Sequence, residues 1–224
     1  MILHIKQVID TGTLSVIQDK LGSASFANGR ESAGWAAQGV KDNEQLRAPH
    51  PLIELLLKRL QQHEMVQQAA RPLQFVNTMI NRYQPGQSYG THMDDALMFA
   101  RDSGVAISTR TDLSFTLGLT PLADYEGGEL VIEDSSGERS WRIDAGDLLL
   151  YPSSFLHRVN PVSAGTRTAM VGWIESLLRE PQQREICFDL FQSLQYEFNA
   201  HGKTSQFDQL SKTYNNLLRR WAKR

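Results

Sequence analysis

Between Asp112 and Ile174 the chain is a series of short apolar segments, each preceded by a turn signal. Leu113, Phe115, Leu117 and Leu119 alternate with Ser114, Thr116 and Gly118. A period of two puts alternate side chains on opposite faces of a strand, so the pattern predicts a half-buried strand over 112–120. Gly127-Gly128 precedes Glu129 to Ile132, Asp134 to Gly137 precedes Trp141 to Ile143, and Asp144 to Asp147 precedes Leu148 to Tyr151. Pro152 to Ser154 precedes Leu156 to Val162, and Ser163 to Gly165 precedes Thr166 to Ile174. Gly, Pro, Asp and Ser each favour turn backbones, and the intervals are too short for helical crossovers. A β-sandwich, barrel or jelly roll follows.

Helices are expected on both flanks, so the fold class is mainly β with flanking helices. Thr13 to Leu21 has Leu14, Ile17 and Leu21 on one face. Pro49 to Ala70 reads as one helix through Leu52, Leu55, Leu56 and Leu60, and Arg71-Pro72 stops it. Leu73 to Tyr83 reads as one or two strands. After Trp173, Pro181 to Asn199 and Phe207 to Trp221 show helical spacing on either side of His201-Gly202. Three parts result: 1–77 as support, 78–177 as the core, and 178–224 as a helical appendage. The appendage is expected to pack on the sheet or on a second subunit, and its apolar Phe207 to Trp221 face could join two copies as a homodimer. Ser23 to Leu46 and Met98 to Thr111 are expected loops. The first is either an irregular cover of the core edge or a wall or lid over a site, and the second covers substrate.

The 224 residues suit one domain, with a net charge of −2. That balance carries no electrostatic footprint for nucleic acid. The basic run 217–224 reads as cations at a helix C-terminus. Cys187 is the single cysteine, so no intrachain disulfide can form, and its apolar neighbours Ile186, Phe188 and Leu190 predict a buried thiol. No apolar run reaches membrane-span length and the N-terminus lacks a signal-peptide pattern, so a cytoplasmic protein is expected.

Chemistry gathers around Tyr89-Gly90-Thr91-His92-Met93-Asp94. In an extended segment His92 and Asp94 point the same way, while Asp95 points away. His157 opens a later strand, where a barrel could bring it back. Two imidazoles and a carboxylate on one side of a metal leave its other positions open, an arrangement that suits Fe(II) oxygenases. Arg167 follows ten residues after His157. One hairpin would set it on a neighbouring strand, its guanidinium fork available to a carboxylate in the same cavity. Residues of these types also fit blander readings: a surface His92, a hydrogen-bonded His157 at the core edge, and a surface ion pair for Arg167. A cupin-like metal-binding module and a zinc hydrolase remain alternatives as well. His4, His50, His63 and His201 have no partner at ligand spacing, and His63 is expected to be solvated on its helix. Asp147 fits a turn better than a general base.

Asn81-Arg82-Tyr83-Gln84-Pro85-Gly86-Gln87 through His92-Met93-Asp94, then Gly127-Gly128-Glu129-Leu130, Gly146-Asp147, Tyr151-Pro152, His157 and Arg167, resemble the prolyl-4-hydroxylase-type branch of the Fe(II)/2-oxoglutarate dioxygenases. Gly34-Trp35, Val40-Lys41-Asp42-Asn43 and the C-terminal helices narrow the resemblance to bacterial PKHD-type hydroxylases, associated with iron uptake. The resemblance implies a double-stranded β-helix, or jelly roll. It implies Fe(2+) at His92, Asp94 and His157, and 2-oxoglutarate held through its distal carboxylate by Arg167 with Tyr83 assisting. It also implies O2 as co-substrate, dependence on L-ascorbate, and hydroxylation of a peptidyl residue, an amino acid or a siderophore-like metabolite. Where many relatives carry a serine two residues after the arginine, this chain has Ala169.

Overall fold

Two sheets face one another and carry nearly all of the expected strands. The computed structural model describes residues 1–102 and 105–223, with the side chains of 100–107 outside that description. The larger sheet has seven strands, in the order Leu3–Ile5, Leu148–Pro152, Leu113–Gly118, Arg167–Ser176, Pro72–Tyr83, Glu44–Arg47 and Ala27–Asn28. The smaller has five, in the order Gly137–Trp141, Leu130–Asp134, Leu156–Val159, Ser88–His92 and Lys41–Asp42. The core is a jelly roll, as the turn-punctuated strands predict.

Alternation decides which residues meet which layer. Leu113, Phe115, Leu117 and Leu119 belong to the large apolar core under the N-terminal helices, with Leu14, Ile17, Leu52, Leu56 and Leu60. Leu149, Tyr151, Leu130, Ile132 and Val159 fill a second core. The strand Leu113–Gly118 is therefore not half-buried. All six of its residues are buried, because its polar face looks inward.

Three further expectations are corrected. Pro49 to Ala70 is two helices, Pro51–Gln62 and Glu64–Ala70, broken at an extended His63. Leu60 and Val66 are both buried yet six residues apart, which at about 100° per residue turns the apolar face well away. The break resets that face onto the core. Met98 to Thr111 is largely strand: Leu97–Asp102 pairs antiparallel with Val105–Arg110 as a separate two-stranded sheet, and residues 103–104 lie outside the described residues. The C-terminal helices Pro181–His201 and Ser205–Trp221 pack mainly on each other and on Glu64–Ala70, and only Phe188 of the former joins the core under the larger sheet. Tyr214 Oη donates to Gln68 Oε1 at 3.0 Å across that contact. Cys187 is fully buried there.

Ser23 to Leu46, expected as irregular, supplies three short strands at the sheet edges and two single turns of 3-10 helix. Its Ser32 to Ala37 stretch forms one wall of the main cavity. Among the described residues no helix is long and apolar enough to cross a membrane.

Candidate active site

The strand Ser88–His92 pairs antiparallel with Leu156–Val159, and the register sets His92 directly opposite His157. Their rings lie 4.3 Å apart. Asp94 follows two residues beyond its strand, and its Oδ2 stands 3.7 Å from His157 Nε2. One ligand atom from each of the three lies within 4.8 Å of the other two. Ligand bonds of about 2.0–2.2 Å let a single ion reach all of them.

The local hydrogen bonds fit these groups to a cation. His92 Nδ1 donates to the Gly90 carbonyl at 2.9 Å, and His157 Nδ1 donates to the Phe155 carbonyl at 3.0 Å. A carbonyl can only accept, so each ring commits an Nδ1 proton to it, which leaves Nε2 as the ring's ligand atom. Burial, then the neighbouring His157, pushes the His92 pKa down to about 4, so the ring is neutral at physiological pH. Ser114 Oγ donates to Asp94 Oδ2 at 2.6 Å and is itself 2.8 Å from Ser153 Oγ. Tyr89 stacks on His92 at 3.7 Å and Tyr151 meets His157 edge-on at 5.4 Å. Two imidazoles and one oriented carboxylate form a donor set suited to a divalent metal with open positions.

Ser114 is the residue that the sequence reading missed. It was legible only as the polar side of an alternating strand, a face that reads as solvent unless the interior is itself a polar cavity. Ser114→Ala is expected to lower metal affinity roughly 10- to 100-fold, the usual cost of losing a hydrogen bond behind a ligand. Equilibrium dialysis with Mn(II) measures it.

Arg167 lies opposite Tyr83 in the larger sheet, with its guanidinium 5.3 Å from the Tyr83 ring centre. It is 4% exposed, and among the described residues no carboxylate forms an ion pair with it. Tyr83 is 1% exposed, and burial raises its phenol pKa above the ordinary value. Both side chains line the same cavity of about 260 Å³ as His92, Asp94 and His157. Asp95 lines that cavity as well, while remaining exposed. Ala169 is buried opposite Asn81 and offers no hydroxyl.

Gly128 has φ +66°, and a Cβ there would lie 2.7 Å from Arg167 Cδ. Gly128→Ala is therefore expected to displace the Arg167 side chain and weaken binding of any carboxylate that its guanidinium holds, up to about 100-fold for a shift on the order of 1 Å. Metal affinity should stay unchanged, which titration with Mn(II) checks.

Two of the remaining histidines, His4 and His63, have defined surroundings away from the cavity. His4 Nε2 is 3.0 Å from Asp147 Oδ2, and Asp147 Oδ1 also accepts from the Gln7 amide at 2.9 Å. The aspartate thereby ties the first strand to the turn that precedes Leu148. His63, expected to be solvated, is half-buried: its Nδ1 is buried without a partner, and burial lowers its pKa.

A jelly roll with this His-Asp-His cluster defines a class of metal-dependent oxygenases, and residues 78–175 match the family model of the 2OG-Fe(II) oxygenase superfamily. Residues 182–223 match the model of the PKHD-type hydroxylase C-terminal domain. A PKHD-type hydroxylase of Idiomarina loihiensis is 54% identical, over 99% of both chains. A prolyl-4-hydroxylase of Pseudomonas putida shares the fold, with TM-score 0.58 and 17% identity, over 78% of this chain and 92% of that one. So does HygX of Streptomyces hygroscopicus, solved with nickel, 2-oxoglutarate and hygromycin B, with TM-score 0.57 and 14% identity, over 80% and 84%. The chain belongs to the PKHD-type hydroxylases. It is an oxidoreductase of a superfamily that works with Fe(II), 2-oxoglutarate and O2.

Proposed function

We propose that the protein hydroxylates a small-molecule or peptide substrate, with His92, Asp94 and His157 holding Fe(II) and Arg167 holding the distal carboxylate of 2-oxoglutarate. The observation that carries this reading is the pairing of two elements in one cavity. Free Nε2 atoms converge with a carboxylate, and a buried guanidinium without an acidic partner lies on the same wall. When bound, iron and 2-oxoglutarate supply the oxidising chemistry: O2 is consumed, 2-oxoglutarate becomes succinate and CO2, and a substrate C–H becomes C–OH.

The chain's own residues do the positioning. Backbone carbonyls of Gly90 and Phe155 fix the imidazole tautomers, and Ser114 orients Asp94. Arg167 neutralises and aligns a carboxylate in two-point fashion. Tyr83 forms the floor beneath that guanidinium and assists the same anchor. Leu130, Val159 and Tyr151 wall the cavity, which limits water around the reacting groups. Fe(II)-loaded protein should take up O2 and release succinate only when 2-oxoglutarate is present. Candidate substrates are then ranked by how far they raise that rate; O2 uptake or succinate release independent of 2-oxoglutarate would contradict the reading.

The same proposal includes three parts of the chain: support over 1–77, catalysis over 78–177 and an appendage over 178–224, a division supported by the two family matches. Self-association through the appendage is supported by the exposed Ile186, Tyr196 and Phe198, and light scattering tests it. L-ascorbate dependence, a cytoplasmic setting and a link to iron uptake enter on family resemblance. Assay with and without ascorbate, cell fractionation, and transcript levels under iron limitation test them in turn.

A further inference from the structure

A second buried cation lies in the cavity, apart from Arg167. Lys41 sits on the edge strand Lys41–Asp42 of the smaller sheet, opposite Tyr89. It is 5% exposed and lines the cavity. Its Nζ donates to Ser32 Oγ at 3.0 Å and stands 5.0 Å from the centre of the Tyr89 ring, the ring that stacks on His92. An ammonium has three protons to donate, and a buried charge without a counter-ion is costly. Among the described residues no carboxylate lies in ion-pair range of Lys41: its neighbour Asp42 faces Arg30, and Asp94 of the cluster acts on it only from beyond that range. Burial pushes its pKa down to about 8, so most of the ammonium remains charged at neutral pH.

The wall beside it has a defined chemistry. Ser32 donates onward to Gln45 Oε1 at 2.5 Å, and Gln45 Nε2 donates to Asn81 Oδ1 at 2.9 Å, which holds the Lys41 partner in place. Around the mouth stand Trp35, 93% exposed, with Met93 and Met98. The cavity therefore offers an enclosed positive charge on the His92 side and an apolar rim outside it.

We propose that Lys41 binds a carboxylate of the substrate, so that the substrate class is an acid with an apolar body lying against Trp35 and the methionines. This inference rests on the hydroxylase reading above. There, one 2-oxoglutarate carboxylate goes to Arg167 and the other to the metal, leaving Lys41 for a third. A carboxylate at Lys41 could come from the co-substrate instead, and the experiment separates the two sources.

Mn(II)-loaded full-length protein is titrated with 2-oxoglutarate, and then, at saturation, with a panel of N-acetyl amino acids, each as free acid and as primary amide. Intrinsic tryptophan fluorescence, to which Trp35 and Trp173 of the cavity lining contribute, reports binding. The expected result is saturable binding of free acids at least tenfold tighter than their amides. Lys41→Met should erase that preference, Lys41→Arg should keep it, and both should bind 2-oxoglutarate within twofold of the parent. Lys41→Met removes a buried charge and keeps an unbranched chain, so it is expected to fold; an unshifted far-ultraviolet dichroism spectrum confirms it. Weakened 2-oxoglutarate binding in Lys41→Met would assign the contact to the co-substrate and overturn the proposal. So would equal binding of acids and amides, or no saturable binding of any acid. A parent protein that binds no 2-oxoglutarate would sink the hydroxylase reading and this one with it.

Discussion

His92→Ala is expected to leave a folded protein that no longer holds Fe(II) and produces no 2-oxoglutarate-dependent succinate. The ring contributes one of three ligand atoms in a cluster whose other members are Asp94 and His157. Removing it leaves two donors, too few to fix an open-sided site. The affinity loss should exceed the roughly 10- to 100-fold expected for Ser114→Ala, because a ligand is removed rather than its hydrogen-bond support. The fold should survive: His92 ends a short strand and is only half-buried, so the cavity that its loss creates opens toward the pocket. Metal content after dialysis and succinate release are the readings. Normal succinate yield from the variant would remove His92 from the ligand set.

Arg167→Ala should separate co-substrate binding from metal binding. The guanidinium is buried beside Tyr83 with no carboxylate of the described residues as partner, which suits it to the anion that the proposal assigns to it. Truncating one member of a buried charge pair costs roughly 2–5 kcal/mol. That corresponds to a rise in the 2-oxoglutarate Kd on the order of 30-fold to a few thousand-fold. Arg167→Lys should recover only part of the loss, because an ammonium keeps the charge and lacks the planar fork. Mn(II) affinity in the absence of 2-oxoglutarate should be unchanged in both. A cupin-like metal-binding module or a zinc hydrolase would have no use for Arg167. Unaltered 2-oxoglutarate binding in Arg167→Ala would favour those readings.

Much of this architecture is written into local patterns. The turns between 112 and 176 mark the strands of that stretch, which make up half of the two sheets, and the i, i+2 spacing selects Asp94 over Asp95 for the cluster. Pairing is harder to read. His157 comes opposite His92 only because two strands distant in sequence adopt one register, which no local spacing encodes. Ser114 and Thr116 looked solvent-facing because period-two alternation separates two faces without saying that the polar face lines an internal cavity. The helix break at His63 has no glycine or proline to signal it; tertiary burial of both Leu60 and Val66 imposes it. The strands Leu97–Asp102 and Val105–Arg110 lack a period-two alternation of apolar and polar residues, so no local pattern marks them. Lys41 sat in a stretch without apolar periodicity, and only the edge pairing with Tyr89 turns it into the cavity.

The most direct test of the account is anaerobic. Fe(II) and 2-oxoglutarate are added to the protein without O2, and the visible charge-transfer absorption of an Fe(II)–keto acid chelate is followed. The account predicts that the band appears and saturates at one equivalent of Fe(II). It should be absent in His92→Ala and require far more 2-oxoglutarate in Arg167→Ala. No band in the parent protein, or an undiminished band in His92→Ala, would contradict the assignment of this cavity to iron and 2-oxoglutarate.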